Sequence, residues 1–254
     1  MNGILNYPVL ILVVSFLLQI IAAYAGDLLR RRMRQPEDAG KVDLATILPS
    51  ALTLLGLIVG FAFSMAVGRY DLRKNYEEEE ANAIGTEYVR VDILPSAQAA
   101  HIHDLLTKYT DQRLRFYLLR NDSQLEQLAT ATSSLQTELW AAVVGPATAQ
   151  PTPTMALLMS GMNDVLNTQG YAQAAFWNRV PVGAWLLMTF VAMACNFLFG
   201  FNEKRNRRTT LVVLPLILAI PFLLIADIDS PHTGIIRVMP QNLIALAHSL
   251  PPAH

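Results

Sequence analysis

The sequence has few charged residues and one cysteine, and both shortages exclude broad classes of protein. Only 15% of the 254 residues are charged, while 53% are hydrophobic. Soluble domains carry about 25% charged residues, and disordered chains combine low hydrophobicity with high net charge. The single cysteine, Cys195, excludes an internal disulfide and a cysteine-based zinc cluster. A formal net charge of −1 provides no basic field for nucleic acid, so no nucleic-acid partner is expected.

Four long stretches of the chain contain no Lys, Arg, Asp or Glu. They are residues 8–25, 44–68, 180–202 and 209–226. A helix of about 20 apolar residues crosses the bilayer core, where the backbone must satisfy its own hydrogen bonds. The stretches therefore predict an all-α membrane protein with four transmembrane helices. Pro215 and Pro221 predict a kink in the fourth.

The first apolar stretch has a second interpretation, a cleaved signal peptide. A signal peptide has its positive charge before the apolar run. Here residues 1–7 carry none, and the arginine cluster begins at Arg30, after the run. These flanks favour an uncleaved membrane anchor.

The basic residues near the spans predict the orientation of the chain. The loops after spans one and three are richer in them than the flanks on the other side: Arg30, Arg31, Arg32, Arg34, Lys41, Lys204, Arg205, Arg207 and Arg208, against Arg69, Arg73, Lys74, Arg179 and Arg237. The positive-inside rule places the richer loops in the cytoplasm. We therefore expect a multi-pass protein whose termini and long middle segment are extracytoplasmic.

The segment between spans two and three is polar but has helical periodicity. We divide the chain into residues 1–68 (transmembrane helices 1 and 2), 69–179 (an extramembrane helical domain inserted between spans two and three) and 180–254 (transmembrane helices 3 and 4 with a C-terminal tail). Apolar residues at 3–4 spacing predict four helices in the domain. The first should continue span two and the last should lead into span three. Proline and glycine predict helix ends at Leu94–Pro95 and Gly145–Pro146, with a loop over residues 145–154.

Span two carries a ridge of small residues beside a stripe of bulky apolar ones. The ridge is Gly56, Gly60, Ser64 and Gly68, and the stripe is Leu57, Phe61 and Met65. Small side chains allow a second helix to approach closely, because helix association in lipid depends on close packing. Packing within one subunit is the commoner use of such a ridge. The alternative is a subunit interface or a narrow pore wall.

An acidic run, Glu77 to Glu80, follows span two directly. Most such runs are solvated helix faces, with i,i+4 pairs such as Arg73 with Glu77. In an oligomer the acids could instead bind Ca²⁺ or select cations, which makes Glu77 and Glu78 weak metal candidates.

The end of span four holds two more acids, Asp227 and Asp229, before Pro231 and Gly234. They are interpreted as anchoring the helix at the membrane interface, while Pro231 and Gly234 build the turn that returns the chain to the membrane surface. Asp229 is available to pair with Arg237 across that turn. The sequence has no catalytic constellation and no nucleotide-binding or metal-ligand motif. We predict neither an enzyme nor a bound cofactor.

Two strings in the sequence resemble the bestrophin-like domain family of bacterial membrane proteins. The first contains Glu80, Asn82, Gly85, Tyr88 and Arg90 and ends in Leu94–Pro95; the second contains Asp229, Pro231, Gly234 and Arg237. The order of two spans, a helical insert, two spans and a short tail also agrees. The resemblance covers nearly the whole chain and implies a protein of the bacterial inner membrane.

The resemblance also implies a function and an assembly. It implies a homo-oligomer, by analogy with bestrophins a pentamer, in which span two lines an anion-conducting pore. Gly56, Gly60, Phe61 and Ser64 would then line or gate the pore, and Arg69, Arg73 and Lys74 would form a basic mouth. We therefore expect an oligomeric ion channel that slightly favours anions, with lipid, inorganic ions and its own copies as partners. The alternative is a non-conducting sensor or scaffold that binds a partner or ligand through the helical domain.

Overall fold

Helices form almost all of the chain that the structure describes. The computed structural model describes residues 6–32, 41–120, 122–202 and 209–251, and at 41–45, 122 and 123 the backbone alone. These ranges contain no strand, and their α-helices are α1 (Pro8–Arg32), α2 (Lys41–Arg90), α3 (Ser96–Leu118), α4 (Asp122–Ala149), α5 (Pro153–Trp177), α6 (Val182–Asn202), α7 (Thr210–Ile228) and α8 (Gln241–Ser249). The predicted all-α class is confirmed.

The four predicted spans correspond to four helical stretches that are long and apolar enough to cross a membrane. These are Pro8–Arg32, Thr46–Ile93, Pro153–Asn202 and Thr210–Ile228. Helix α7 is continuous across Pro215 and Pro221. Helix α2 is 50 residues long, so the first helix of the middle segment does continue span two without a break, as the sequence predicts.

The chain divides into two compact units. Unit 1 comprises residues up to Arg69 and Arg179–Ile236, and unit 2 comprises Tyr70–Asn178 and the residues from Arg237 onward. The sequence division placed the C-terminal tail with spans three and four. The structure groups it with the middle segment instead, because α8 packs against α3 and is held by a side chain of α2.

Unit 1 is built on close contact between α1 and α6. A Cβ atom on Gly26 would overlap the carbonyl oxygen of Phe197, and one on Gly200 would overlap that of Ala23. Only glycine permits this approach of two helix backbones. The α1 side chain of Gln19 also accepts a hydrogen bond from Asn196 of α6, at 3.1 Å. This bond links the two helices through buried amide groups.

Unit 2 has a hydrophobic core contributed by α2, α3, α4, α5 and α8. The predicted apolar face of α3 is fully buried: Ile102, Leu105, Leu106, Tyr109, Phe116 and Tyr117. The rings of Phe116 and Phe176 meet at 4.8 Å between centroids, which ties α3 to α5. The periodic apolar pattern therefore identified the core-facing side of this helix correctly.

Two predicted helix boundaries differ from those observed. Helix α4 continues through Pro146 to Ala149, where the sequence predicts a break. Val143 and Ala147 are buried on either side of the proline, and their packing offsets the hydrogen bond that proline cannot donate. Conversely, α5 ends at Trp177 and does not run on into span three, because Asn178 is extended and Pro181 follows.

Most basic residues of the two richer loops lie outside the described ranges or have no described side chain. This applies to Arg34, Lys204, Arg205, Arg207 and Arg208, and to the side chain of Lys41. The inside–outside arrangement therefore stays a prediction.

Candidate functional site

One face of α2 in unit 1 has no packing partner among the residues that the structure describes. A Cβ atom built on Gly56, Gly60 or Gly68 would meet nothing within 4 Å. Ser64 is exposed, and so is the bulky stripe, with Leu57 at 55%, Phe61 at 66% and Met65 at 39%. Packing of the ridge within one subunit, its commoner interpretation, is therefore not seen among the described residues.

The opposite face of the same helix is buried. Leu55, Ala62 and Ala66 are at most 3% exposed. At 100° per residue these three positions fall within a 40° sector, directly across the helix from the exposed ridge and stripe. Helix α2 in unit 1 thus has one face used by its own chain and one face left open.

The three residues of the expected basic mouth have different surroundings. Arg73 is 1% exposed, its Nε donates to the carbonyl oxygen of Ala175 at 3.2 Å, and its guanidinium lies 6.0 Å from the Phe176 ring centroid. Arg69 is half-buried and Lys74 is exposed. In a single chain the Arg73 charge belongs to the interior of unit 2 and not to its surface.

The acidic run is divided by the helical period into buried and exposed members. Glu77 and Glu80 are at most 1% exposed, whereas Glu78 and Glu79 are exposed. The expectation that the whole run is a solvated face is therefore wrong. A helical stripe of apolar residues begins at Ala81. Its spacing of three and four residues, continued towards the N-terminus, reaches these two buried acids, so the sequence contained a signal for their burial.

Glu80 forms a buried ion pair with Arg113 of α3. The Arg113 Nε donates to Oε1 of Glu80, and the Tyr117 hydroxyl donates to Oε2 at 3.1 Å. Burial acts to lower the pKa of Arg113, but the adjacent Glu80 carboxylate outweighs it and raises that pKa. Burial, reinforced by the Glu80 charge, raises the pKa of Tyr117. Glu80 therefore anchors α3 to α2 through contacts from both Arg113 and Tyr117.

Glu77 holds the N-terminus of α8 against α2. Its Oε1 accepts from the backbone N–H of Leu243 at 2.9 Å, and its Oε2 accepts from Nδ2 of Asn242 at 2.7 Å. Gly85 allows the same approach further along, since its Cβ position lies 3.2 Å from Leu246 Cδ1. The Glu77 carboxylate is thus engaged in structure, which weakens it as a metal candidate. Among the described residues, no group of three or more His, Cys, Asp or Glu side chains is placed to hold a metal ion.

The remaining residues of the first string surround a groove between α2 and α8. We call this cavity of about 650 Å³ the motif groove; its lining includes Asn82, Gly85, Thr86, Arg90, Asn242 and Leu246. The aromatic member of the string, Tyr88, faces α3 instead, where its ring stacks on His103 at 4.0 Å between centroids. The string therefore contributes both to the core of unit 2 and to an open, polar groove.

Glu87 lies within the same string, and the sequence did not single it out. It is fully buried, and in the described part of the chain neither carboxylate oxygen has a hydrogen-bond partner. Nη1 of Arg90 lies 3.7 Å from Oε2, which is an ion-pair distance and too long for a hydrogen bond. Burial raises the pKa of Glu87 to about 7. Its position on the buried face of α2, seven residues after Glu80, was the available sequence signal.

The second string forms a tight turn after α7. The carboxylate of Asp227 accepts from the backbone N–H groups of Ile235 and Ile236, both at 2.8 Å. A Cβ on Gly234 would overlap the Asp227 carbonyl oxygen, so only glycine fits there. Asp227 therefore holds the turn together, a role that the sequence did not assign to it.

Asp229 fastens this turn to the start of span three. Its Oδ1 accepts from the backbone N–H of Val180 at 3.0 Å, and Nε of Arg179 donates to its carbonyl oxygen at 3.0 Å. Pairing of Asp229 with Arg237, which belongs to unit 2, stays a prediction.

Comparison with known proteins gives the family. The profile of the bestrophin-like domain matches residues 13–243. The chain belongs to the bestrophin-like domain family. No curated protein matches the chain.

Solved structures show the fold of this bestrophin-like chain. A bacterial bestrophin homologue from Klebsiella pneumoniae, phased on zinc, has a TM-score of 0.62 at 17% identity, covering 96% of this chain and 99% of that one. A point variant of a bacterial bestrophin homologue from Klebsiella pneumoniae has a TM-score of 0.65 at 15% identity, covering 94% and 99%. Identities this low establish the bestrophin fold and not an activity.

Proposed function

We propose that this bestrophin-like protein is a homo-oligomeric ion channel whose pore is lined by the open face of α2. The observation that carries the proposal is that no described residue of the chain packs on Gly56, Gly60 and Gly68. A row of small residues facing lipid alone would have no use, whereas further copies of the helix could approach it closely. The family resemblance implies five copies around the axis.

The bulky stripe would form the narrow part of this pore. Leu57, Phe61 and Met65 project from the open face at successive turns of the helix. Rings of apolar side chains can close a pore by excluding water from it. Movement of α2, which reaches from unit 1 into unit 2, would open the constriction.

The exposed charges on α2 support weak selectivity rather than the slight anion preference expected from sequence. Arg73 is buried, so the accessible basic groups after span two are Lys74 and the half-buried Arg69. The exposed acids Glu78 and Glu79 lie within the next turn or two and offset them. The constriction itself carries no charge. We therefore propose that cations and anions pass with similar permeability.

Flux measurements on purified protein test this proposal. Oligomers verified by light scattering would be placed in liposomes of defined lipid, and K⁺ and Cl⁻ fluxes would be compared with those of empty liposomes. The expected result is flux of both ions and a reversal potential close to zero in a KCl gradient. Absence of both fluxes in a verified oligomer would contradict the channel, and a strongly selective reversal potential would contradict only the weak selectivity.

A non-conducting sensor is the second candidate, and the motif groove favours it. The groove combines a half-exposed arginine, Arg90, with a hidden carboxylate, Glu87, within unit 2. A sensor would have a closed bundle of α2 helices without an axial path. An oligomeric structure with a measured pore radius separates the two candidates. In either case we propose that unit 2 lies outside the membrane, on the extracytoplasmic side that the basic loops favour.

A further inference from the structure

The motif groove has the size and the polar groups of a small-ligand site. Its volume of about 650 Å³ falls within the range of roughly 300 to 1,000 Å³ that is usual for such sites. Arg90 supplies a positive charge, Thr86 a hydroxyl, and Asn82 and Asn242 amide groups. The Arg90 side chain lines the groove and is 40% exposed. These donors suit an oxyanion.

A buried carboxylate lies directly behind this arginine. Glu87 is one helical turn before Arg90, fully buried, and in ion-pair contact with it at 3.7 Å. On the other side is Gly161 of α5, where a Cβ would overlap both Oε2 of Glu87 and Nη1 of Arg90. A side chain at position 161 would displace the pair. The fold therefore keeps a space on α5 in which these two groups meet.

The charged groups around Glu87 allow its ionisation to change near neutral pH. Burial is the main cause that raises its pKa to about 7; the positive charge of Arg90 opposes the shift, and the negative charge of Asp164 on α5 adds to it. Above neutral pH the Glu87 carboxylate partly neutralises Arg90. Below it, Glu87 is protonated and the full charge of Arg90 is available to an anion in the groove.

We propose that the motif groove binds a small oxyanion through Arg90 and that proton uptake by Glu87 strengthens this binding. Proton and anion would bind together, so the bound anion in turn favours protonated Glu87. The site responds to pH without any change in the ligand. It does not depend on conduction, because binding to unit 2 is an equilibrium property of the chain.

Calorimetric titration with sulfate tests the proposal on the full-length protein in detergent. Sulfate keeps the same charge throughout this pH range, so a pH effect on its affinity reports on the protein. At constant ionic strength we expect sulfate to bind about tenfold more tightly at pH 6 than at pH 8, since Glu87 changes from mostly neutral to mostly charged. No binding at pH 6, or equal affinity at both values, would overturn the proposal without any variant being needed.

Three variants locate the effect. Glu87→Gln should bind sulfate at both pH values as tightly as the unmodified chain does at pH 6. Arg90→Gln should bind at neither pH, and Arg115→Gln, which removes an exposed arginine of α3, should behave as the unmodified chain. Binding that survives Arg90→Gln, or a pH dependence that survives Glu87→Gln, would assign the ion to another place and overturn the proposal. Flux is not measured, so failure here leaves the channel proposal intact.

Discussion

The glycines of the membrane-length helices fall into two groups with opposite surroundings. Gly26 and Gly200 lie where α1 and α6 touch, and a side chain on either would overlap the backbone of the other helix. Gly56 and Gly60 lie on α2, and a side chain there would meet nothing within 4 Å. The first group completes a contact inside the chain. The second offers the same kind of surface, and none of the described helices lies on it.

The acids of α2 show the same contrast in unit 2. Glu80 is fully buried and is bonded to Arg113 and Tyr117, whereas Glu79, the residue before it, is exposed. One turn of one helix therefore contains both a side chain that the single chain has fully partnered and one that it leaves to solvent. Substitutions in each class should have correspondingly different effects on folding and on function.

The largest effect is expected at the packed glycines. Gly200→Leu should prevent α1 and α6 from approaching, because the added side chain overlaps the Ala23 carbonyl oxygen, which cannot move away without its helix. We expect a loss of stability above about 4 kcal/mol and little folded protein in detergent extracts. Fluorescence-detected size exclusion measures the yield of folded protein.

Gly183→Leu is the matched control, since Gly183 lies on the same helix with nothing within 4 Å of its Cβ position. It should yield folded protein as the unmodified chain does. Equal yields of the Gly200 and Gly183 variants would show that the close approach is not required.

The next effect concerns the buried ion pair. Glu80→Gln should lower the free energy of unfolding by about 3 to 5 kcal/mol, because the charge of Arg113 is left buried without its counter-ion. Glu79→Gln should change it by less than about 0.5 kcal/mol, since its carboxylate is exposed. Thermal unfolding of the two variants in one detergent gives the comparison. Similar destabilisation by both would contradict the division of the acidic run.

Substitutions on the open face of α2 should change the free energy of unfolding least. Their effect is expected on ion flux. Gly60→Val should leave unfolding within about 1 kcal/mol of the unmodified chain, because its side chain enters open space. Ion flux should fall at least tenfold, since the added bulk narrows the space between copies. Gly170→Val on α5, another glycine with nothing within 4 Å, should leave both quantities unchanged. Normal ion flux in Gly60→Val would show that this face of α2 does not line the pore.

Much of the fold could be predicted because it depends on patterns local in sequence. The lack of charged residues predicted the four spans, and the spacing of apolar residues by three and four positions predicted the buried face of α3. Helix α8 could not be predicted as part of unit 2, because its position depends on hydrogen bonds to Glu77, more than 160 residues away in sequence. The continuation of α4 through Pro146 likewise depends on tertiary packing that a local rule does not contain.

The candidate site was predicted only in part, and for a different reason. The sequence identified the ridge on span two but not whether its own chain would cover it. It also treated Arg73 and Glu77 as surface charges, although the helical period places both on the buried face of α2. Charge is a poor guide to exposure when a partner such as the Ala175 carbonyl or the α8 N-terminus is available inside the fold.

Disulfide cross-linking of Ser64→Cys in native membranes tests the central claim, that the open face of α2 meets other copies. Cys195 is buried, so the added thiol is the reactive one. We predict that mild oxidation links subunits through residue 64, while Leu186→Cys, at an exposed apolar position on α6, gives far less product. A Ser64→Cys chain that stays entirely monomeric on oxidation, while its thiol reacts freely with a small reagent, would contradict the account.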